Sequence, residues 1–172
     1  LRRFQDMNVA GVLPGTGPEL RRELVVYSAH WDHLGMDGSG RIFHGAVDNA
    51  SGCAGLLAIA QALRSQPTRR SQMFLFTCAE EPGLLGAEAF VASSPWPLER
   101  IIADLNLESL NAAGPTRDIG LAGSERSTLG ELALRTARGM GLAAAPSRPD
   151  ASALSFRADH FAFVKAGIPA FS

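Results

Sequence analysis

The fold of this chain is first indicated by residues 71–90, SQMFLFTCAEEPGLLGAEAF. Residues 71–79 are apolar on both faces, as is typical of a strand in the middle of a sheet that helices cover on both sides. The following segment, GLLGAEAFVAS, reads as a short helix. Glu80 and Glu81 therefore stand side by side where a buried strand ends, and two adjacent carboxylates in that position need a chemical explanation.

Strand and helix patterns continue on both sides of this stretch. Residues 51–66 carry apolar side chains at helical spacing, and residues 100–110 alternate as a strand does. A further helix is predicted from a capping box formed by Thr128 and Glu131. Within residues 1–30, two apolar segments flank a loop rich in proline and glycine, which predicts an antiparallel hairpin. Strands that alternate with helices after this hairpin predict one three-layer α/β/α domain with a mixed, mainly parallel central sheet.

The composition is that of an ordinary globular domain, with 46% hydrophobic and 19% charged residues. The 16 Lys and Arg residues balance 17 Asp and Glu residues, so no basic field is present to bind nucleic acid. No apolar run approaches the roughly 20 residues of a membrane span. Because the chain begins with Leu1 and ends in a segment that reads like the start of a strand, we expect a single domain over residues 1–172 that is truncated at its C-terminus.

Polar side chains follow the predicted strands at the end where ligands bind in parallel α/β sheets. Taken singly, each has an ordinary structural explanation as a helix cap, a dipole partner or a solvated group. Taken together, two imidazoles and four carboxylates on one rim need a compensating cation, which a pair of divalent metal ions bridged by one aspartate would supply. These six residues are His30, Asp48, Glu80, Glu81, Glu108 and His160, and Asp32, two residues after His30, is a seventh candidate.

The adjacent glutamates then have distinct predicted roles. Neighbouring residues in an extended chain point to opposite sides, so one glutamate can bind a metal while the other stays free as a general base. His33 and His44 lie in loops near the predicted site, and we interpret them as rim or pocket residues.

Four sequence blocks in this order resemble the di-zinc aminopeptidase family: SAHWDHLG, GAVDNASG, AEEPGLLGA and ADHFAFVKAGIPA. That family includes bacterial secreted leucyl-type aminopeptidases, glutamate carboxypeptidase, glutaminyl cyclase and the catalytically inert transferrin receptor. The resemblance covers the chain from about Asn8 to Pro169. It implies two bound ions, with Zn²⁺ expected, in a zinc-peptidase fold.

The resemblance also implies individual roles. Asp48 would bridge the ions and precede a cis peptide bond to Asn49, Glu80 would be the base, and Asp32 would orient His30. The remaining ligands would be His30 and Glu108 at one ion, and Glu81 and His160 at the other. Many relatives have aspartate in place of Glu108, and some have tyrosine in place of Asp159.

These observations predict a metallo-aminopeptidase that hydrolyses N-terminal residues from peptides through a water activated by two metal ions. The alternatives are a glutaminyl cyclase-like enzyme with a single zinc and a non-catalytic, receptor-like homologue. Because relatives are commonly exported, we expect an extracytoplasmic location.

Overall fold

A computed structural model of the chain describes residues 5–146 and 156–172. Five strands form the central sheet in the order β1-β3-β2-β4-β7, and β5 and β6 form a separate parallel pair. The strands are β1 (Val9–Leu13), β2 (Leu24–His30), β3 (Ser71–Thr77), β4 (Ile101–Asn106), β5 (Asp118–Leu121), β6 (Ala143–Pro146) and β7 (Ala170–Phe171). The helices are α1 (Ala50–Ser65), α2 (Leu85–Ala92), α3 (Thr128–Gly139) and α4 (His160–Lys165).

Helices cover both faces of the sheet, which confirms the predicted three-layer arrangement with a mixed, mainly parallel sheet. On one face, Leu56 of α1 packs with Phe74 of β3. On the other face, Phe90 of α2 and Phe163 of α4 pack in the cluster that includes Leu75, and their ring centroids are 5.8 Å apart. Side chains of β3 thus alternate between two apolar cores, as its unbroken apolar sequence predicts.

The sequence predicts an antiparallel hairpin between β1 and β2, and this prediction is wrong. β1 pairs antiparallel with β3, with Val9 opposite Phe76. β2 has no free edge for β1, because it pairs in parallel with β3 on one side and with β4 on the other. The intervening loop instead crosses the start of β3, where Gly17 donates its N–H to the Arg69 carbonyl over 3.0 Å.

The predicted capping box at the start of α3 is also wrong. Ser127 occupies the N-cap position, its side chain makes no capping hydrogen bond, and Thr128 is already helical. Gly130 explains the tight entry into this helix, because an added Cβ would lie 1.8 Å from the Ser124 carbonyl oxygen. Among the helices that the structure describes, none has the length and apolar character to cross a membrane.

The sheet order brings the predicted site together. β3, β2 and β4 lie side by side and run in the same direction. Their carboxyl ends therefore meet at one edge of the sheet. His30 ends β2, Glu80 follows β3 and Glu108 follows β4 at that edge.

Candidate active site

His30 is held rigidly at the end of β2 and faces two carboxylates. The side chain is 1% exposed, and its Nδ1 donates to the Asp32 carbonyl oxygen over 3.1 Å. Its Nε2 lies 3.1 Å from Asp48 Oδ1 and 3.1 Å from Glu108 Oε1. A neutral ring with its proton on Nδ1 would aim a lone pair at both oxygens, so this position needs either a second proton or a metal cation.

The carboxylates around His30 also raise its pKa. Burial lowers the pKa, but the hydrogen bond and charge of Glu108, together with the charges of Glu80 and Asp32, raise it to about 9. A site that attracts a proton this strongly also suits a divalent cation, because both respond to the same negative field.

A second group of donors lies beside the first and shares Asp48 with it. His33 Nδ1 is 2.8 Å from Glu81 Oε1. One ligand atom from each of His33, Asp48 and Glu81 lies within 4.8 Å of the other two, as is also true of His30, Asp48 and Glu108. The described residues therefore form two donor groups, each with one imidazole and one carboxylate of its own around the common Asp48.

Several atoms of these groups are buried without a well-formed hydrogen bond among the described residues. They are Asp48 Oδ1, Glu81 Oε1, Glu108 Oε2 and His33 Nδ1. Buried polar atoms rarely stay unsatisfied in a native protein. Imidazole nitrogen and carboxylate oxygen are the donors that zinc accepts. The donor set therefore fits a pair of divalent ions.

Asp48 can face the site because its neighbour caps the helix. The N-cap of α1 is Asn49, whose side-chain oxygen accepts from the Gly52 N–H over 3.1 Å. The Asn49 amide also donates to the Leu107 carbonyl oxygen at the end of β4 over 2.9 Å. The Asp48–Asn49 peptide bond is cis, as the resemblance implies. The interpretation of Asp48 as a simple helix cap is therefore excluded.

The turn that carries the two glutamates is fixed by Asp32. The Asp32 carboxylate accepts from the backbone N–H groups of Glu80 over 3.0 Å and Glu81 over 3.3 Å. The same carboxylate is 3.5 Å from His30 Nδ1, farther than the Asp32 carbonyl oxygen that the ring contacts. The Asp32 carboxylate thus holds the glutamate turn, while the main-chain carbonyl of Asp32 accepts the hydrogen bond from the imidazole; the orientation of His30 by the carboxylate stays a prediction.

Glu80 belongs to neither donor group among the described residues, which leaves its carboxylate free. Burial raises its pKa to about 7; the charge of His30 opposes this shift, and neighbouring carboxylates, Glu108 first, add to it. A carboxylate with a pKa near neutrality is well matched to accept and return a proton.

His160 is placed differently from the other predicted ligands. It begins α4, is 1% exposed, and lies in neither donor group. The preceding Asp159 is fully buried and accepts a hydrogen bond from the Thr77 hydroxyl. Burial raises the pKa of Asp159 to about 6, while the Thr77 hydrogen bond and the His30 charge oppose the shift. The role of His160 as a ligand stays a prediction.

His33 is the residue that sequence reasoning missed. The sequence places it at the rim or in the pocket, whereas the structure brings it into contact with Glu81 in the second donor group; the resemblance gives the imidazole of that group to His160, and this stays a prediction. The available signal was its spacing from His30, because a turn directly after a strand can return a side chain three residues on to the same crevice. His44 is exposed and lies in neither group.

The donor groups open into a cavity of about 510 Å³. Its lining includes all four site carboxylates, together with one arginine, Arg157. The lining residues are Asp48, Glu80, Glu81, Glu108, Ser109, Gly120, Ala122, Arg157, Ala158 and Ser172. This volume lies within the range of pockets that bind small ligands.

Comparison with known families identifies the chain. The model of peptidase family M28 matches residues 8–172. This chain belongs to peptidase family M28. A vacuolar membrane protease of Lachancea thermotolerans is 35% identical over 111 residues, which make up 64% of this chain and 10% of that protein. The chain thus spans about a tenth of the length of the vacuolar relatives that it matches.

Solved structures of M28 enzymes share the fold. A zinc aminopeptidase from Bacillus subtilis superposes with a TM-score of 0.72 at 24% identity, over 95% of this chain and 38% of that one. A glutaminyl cyclase from an Acidobacteriales bacterium superposes with a TM-score of 0.67 at 20% identity, over 95% of this chain and 56% of that one. These similarities establish the zinc-peptidase fold, as the sequence predicts.

Proposed function

We propose that this M28 domain is the catalytic part of a zinc-dependent exopeptidase that removes N-terminal residues from peptides. The observation that carries the proposal is the position of Asp48, which belongs to two donor groups while Glu80 stays outside both. Two-metal hydrolases need a shared carboxylate and a free base beside it. Release of N-terminal residues rests on the resemblance to aminopeptidases.

The residues that would hold the ions are His30, Asp48 and Glu108 for one, and Asp48 and Glu81 for the other. The imidazole of the second group would be His33, which the geometry favours, or His160, which the resemblance implies. When bound, the ions would polarise the scissile carbonyl and make water a stronger nucleophile at neutral pH. The chain would provide the fixed donors, because Asp32 holds the glutamate turn and Asn49 holds the backbone next to Asp48.

Glu80 would move the proton. Its carboxylate would accept a proton from the attacking water and later donate it to the leaving amine. A pKa of about 7 allows both transfers near neutral pH, because neither protonation state of the carboxylate is strongly favoured.

Glutaminyl cyclisation is the second candidate, since the fold is shared with a bacterial cyclase. The presence of two donor groups instead of one favours the peptidase. A non-catalytic, receptor-like role is disfavoured because the donors and the free glutamate are all present.

The test combines metal analysis with one substitution. The purified protein should bind two zinc ions per chain and hydrolyse aminoacyl anilides. A single ion, with conversion of an N-terminal glutamine to pyroglutamate and release of ammonia, would favour the cyclase. Glu80→Gln should keep the bound zinc and lose nearly all turnover. Glu99→Gln, which changes an exposed glutamate outside the cavity, is the matched control and should behave as the wild type. Loss of zinc from Glu80→Gln would show that Glu80 is a ligand instead of the base.

A further inference from the structure

The catalytic cavity contains a cation that the proposed chemistry does not use. Arg157 lines the cavity together with Asp48, Glu80, Glu81 and Glu108. Its guanidinium nevertheless lies more than 4.0 Å from every carboxylate that the structure describes, so it forms no ion pair with them. An arginine that faces four carboxylates without pairing to any of them is available for another anion.

Arg157 is held on the cavity wall by packing on both sides. The preceding Phe156 packs edge-on against Phe161, with ring centroids 5.0 Å apart, and the Arg126 guanidinium lies 4.9 Å from the Phe156 ring centroid. The following Ala158 is 4% exposed and also lines the cavity. The backbone on both sides of Arg157 is therefore packed, while its side chain is exposed and lines the cavity.

The charges of the cavity favour an anion at this wall once the ions of the proposed function are bound. Two divalent ions would neutralise the four carboxylates, and Arg157 would then leave the cavity with net positive charge. Because Arg157 forms no ion pair with the carboxylates, its guanidinium is available to an anionic group of the substrate. Guanidinium groups bind carboxylates through paired hydrogen bonds.

We infer that Arg157 binds a carboxylate of the substrate and thereby makes short peptides with a free C-terminus the favoured class. A cavity of about 510 Å³ suits a small ligand of this kind. The inference rests on the proposed exopeptidase function, and it adds the recognition of an anionic group on the C-terminal side of the scissile bond.

The test compares kcat/KM for leucyl-alanine with that for its C-terminal amide. The wild type should favour the free acid by about tenfold to a hundredfold, the range expected for a charge-assisted hydrogen bond. The difference should lie mainly in KM, because a contact remote from the reacting bond acts on substrate and transition state alike. Arg157→Gln should abolish the preference and keep the zinc content. Arg138→Gln, which removes an exposed arginine of α3 outside the cavity, should retain the preference.

A second pair of substrates identifies which carboxylate is bound. Leucyl-aspartic acid amide and leucyl-asparagine amide differ only in a side-chain charge, so a preference confined to the former would assign Arg157 to acidic side chains. Equal kcat/KM within both pairs, or a preference that survives Arg157→Gln undiminished, would overturn the inference. Absence of hydrolysis for every substrate, including aminoacyl anilides, would instead refute the proposed function.

Discussion

Replacing Asp32 with asparagine should loosen the active site without unfolding the protein. The Asp32 carboxylate accepts the backbone N–H groups of both Glu80 and Glu81, and it lies 3.5 Å from His30 Nδ1. Asparagine has the same shape, but it offers only one oxygen acceptor and places an amide NH₂ against the other backbone N–H. One of the two hydrogen bonds must therefore be lost.

The size of the effect follows from the number and type of these contacts. A hydrogen bond to a charged group contributes about 1.5–3 kcal/mol, so the glutamate turn should lose about that much stabilisation. Partners that position metal ligands typically change metal affinity by about 10- to 100-fold. We therefore expect Asp32→Asn to weaken zinc binding by about that factor and to lower kcat/KM at saturating zinc, because Glu80 is no longer held in place.

Zinc affinity measured by competition with a chromophoric chelator provides the assay, alongside kcat/KM on an aminoacyl anilide. Asp37→Asn is the matched control, because the Asp37 carboxylate also accepts backbone N–H groups, from Ser39 over 2.9 Å and Arg41 over 3.0 Å, but in an exposed turn. The control should keep wild-type zinc affinity. Equal zinc affinities for Asp32→Asn and Asp37→Asn would refute the positioning role of Asp32.

Three further predictions test other parts of the structure. Burial raises the pKa of Asp104 well above its usual value, so the folded state holds a proton that the unfolded state loses, and the free energy of unfolding falls as pH rises above about 4. In urea titrations of metal-free protein, Asp104→Asn should therefore be more stable than the wild type at pH 8, and the difference in free energy of unfolding should be smaller at pH 5. Gly86→Ala should lower the free energy of unfolding by about 1–3 kcal/mol, since the added Cβ would lie 2.2 Å from the Cys78 carbonyl oxygen. Gly139→Ala is the control because its Cβ would lie in open space, and equal losses of stability in the two variants would contradict this packing. His33→Ala should reduce the zinc content measured by mass spectrometry to one ion per chain. If His33→Ala keeps two ions and His160→Ala loses one, the ligand is His160, as the resemblance implies.

The elements with a strong local pattern were predictable from the sequence. The apolar run of β3 and the helical spacing of α1 each reflect burial that the local sequence specifies. The convergence of His30, Glu80 and Glu108 was predictable too, because parallel strands end at one edge of a sheet.

The remaining features depend on contacts between distant segments. The partner of β1 is decided by which sheet edge is free, and no pattern within residues 1–30 carries that information. The place of His33 depends on the turn after β2, and the role of Asp32 depends on two N–H groups nearly 50 residues away in the chain. Arg157 lines the cavity between Phe156, which packs against Phe161, and the buried Ala158, and no local pattern indicates this placement.

Asn49 links the start of α1 to the segment that follows β4, so that the two should open together. Its side chain accepts from Gly52 N–H in α1 and from Ser109 N–H after β4, each over 3.1 Å, and donates to Leu107. The first turn of α1 cannot fray without releasing the segment that carries Glu108. Amide hydrogens of Gly52 and Ser109 should therefore exchange with solvent deuterium at similar rates and slow together when ligand occupies the cavity.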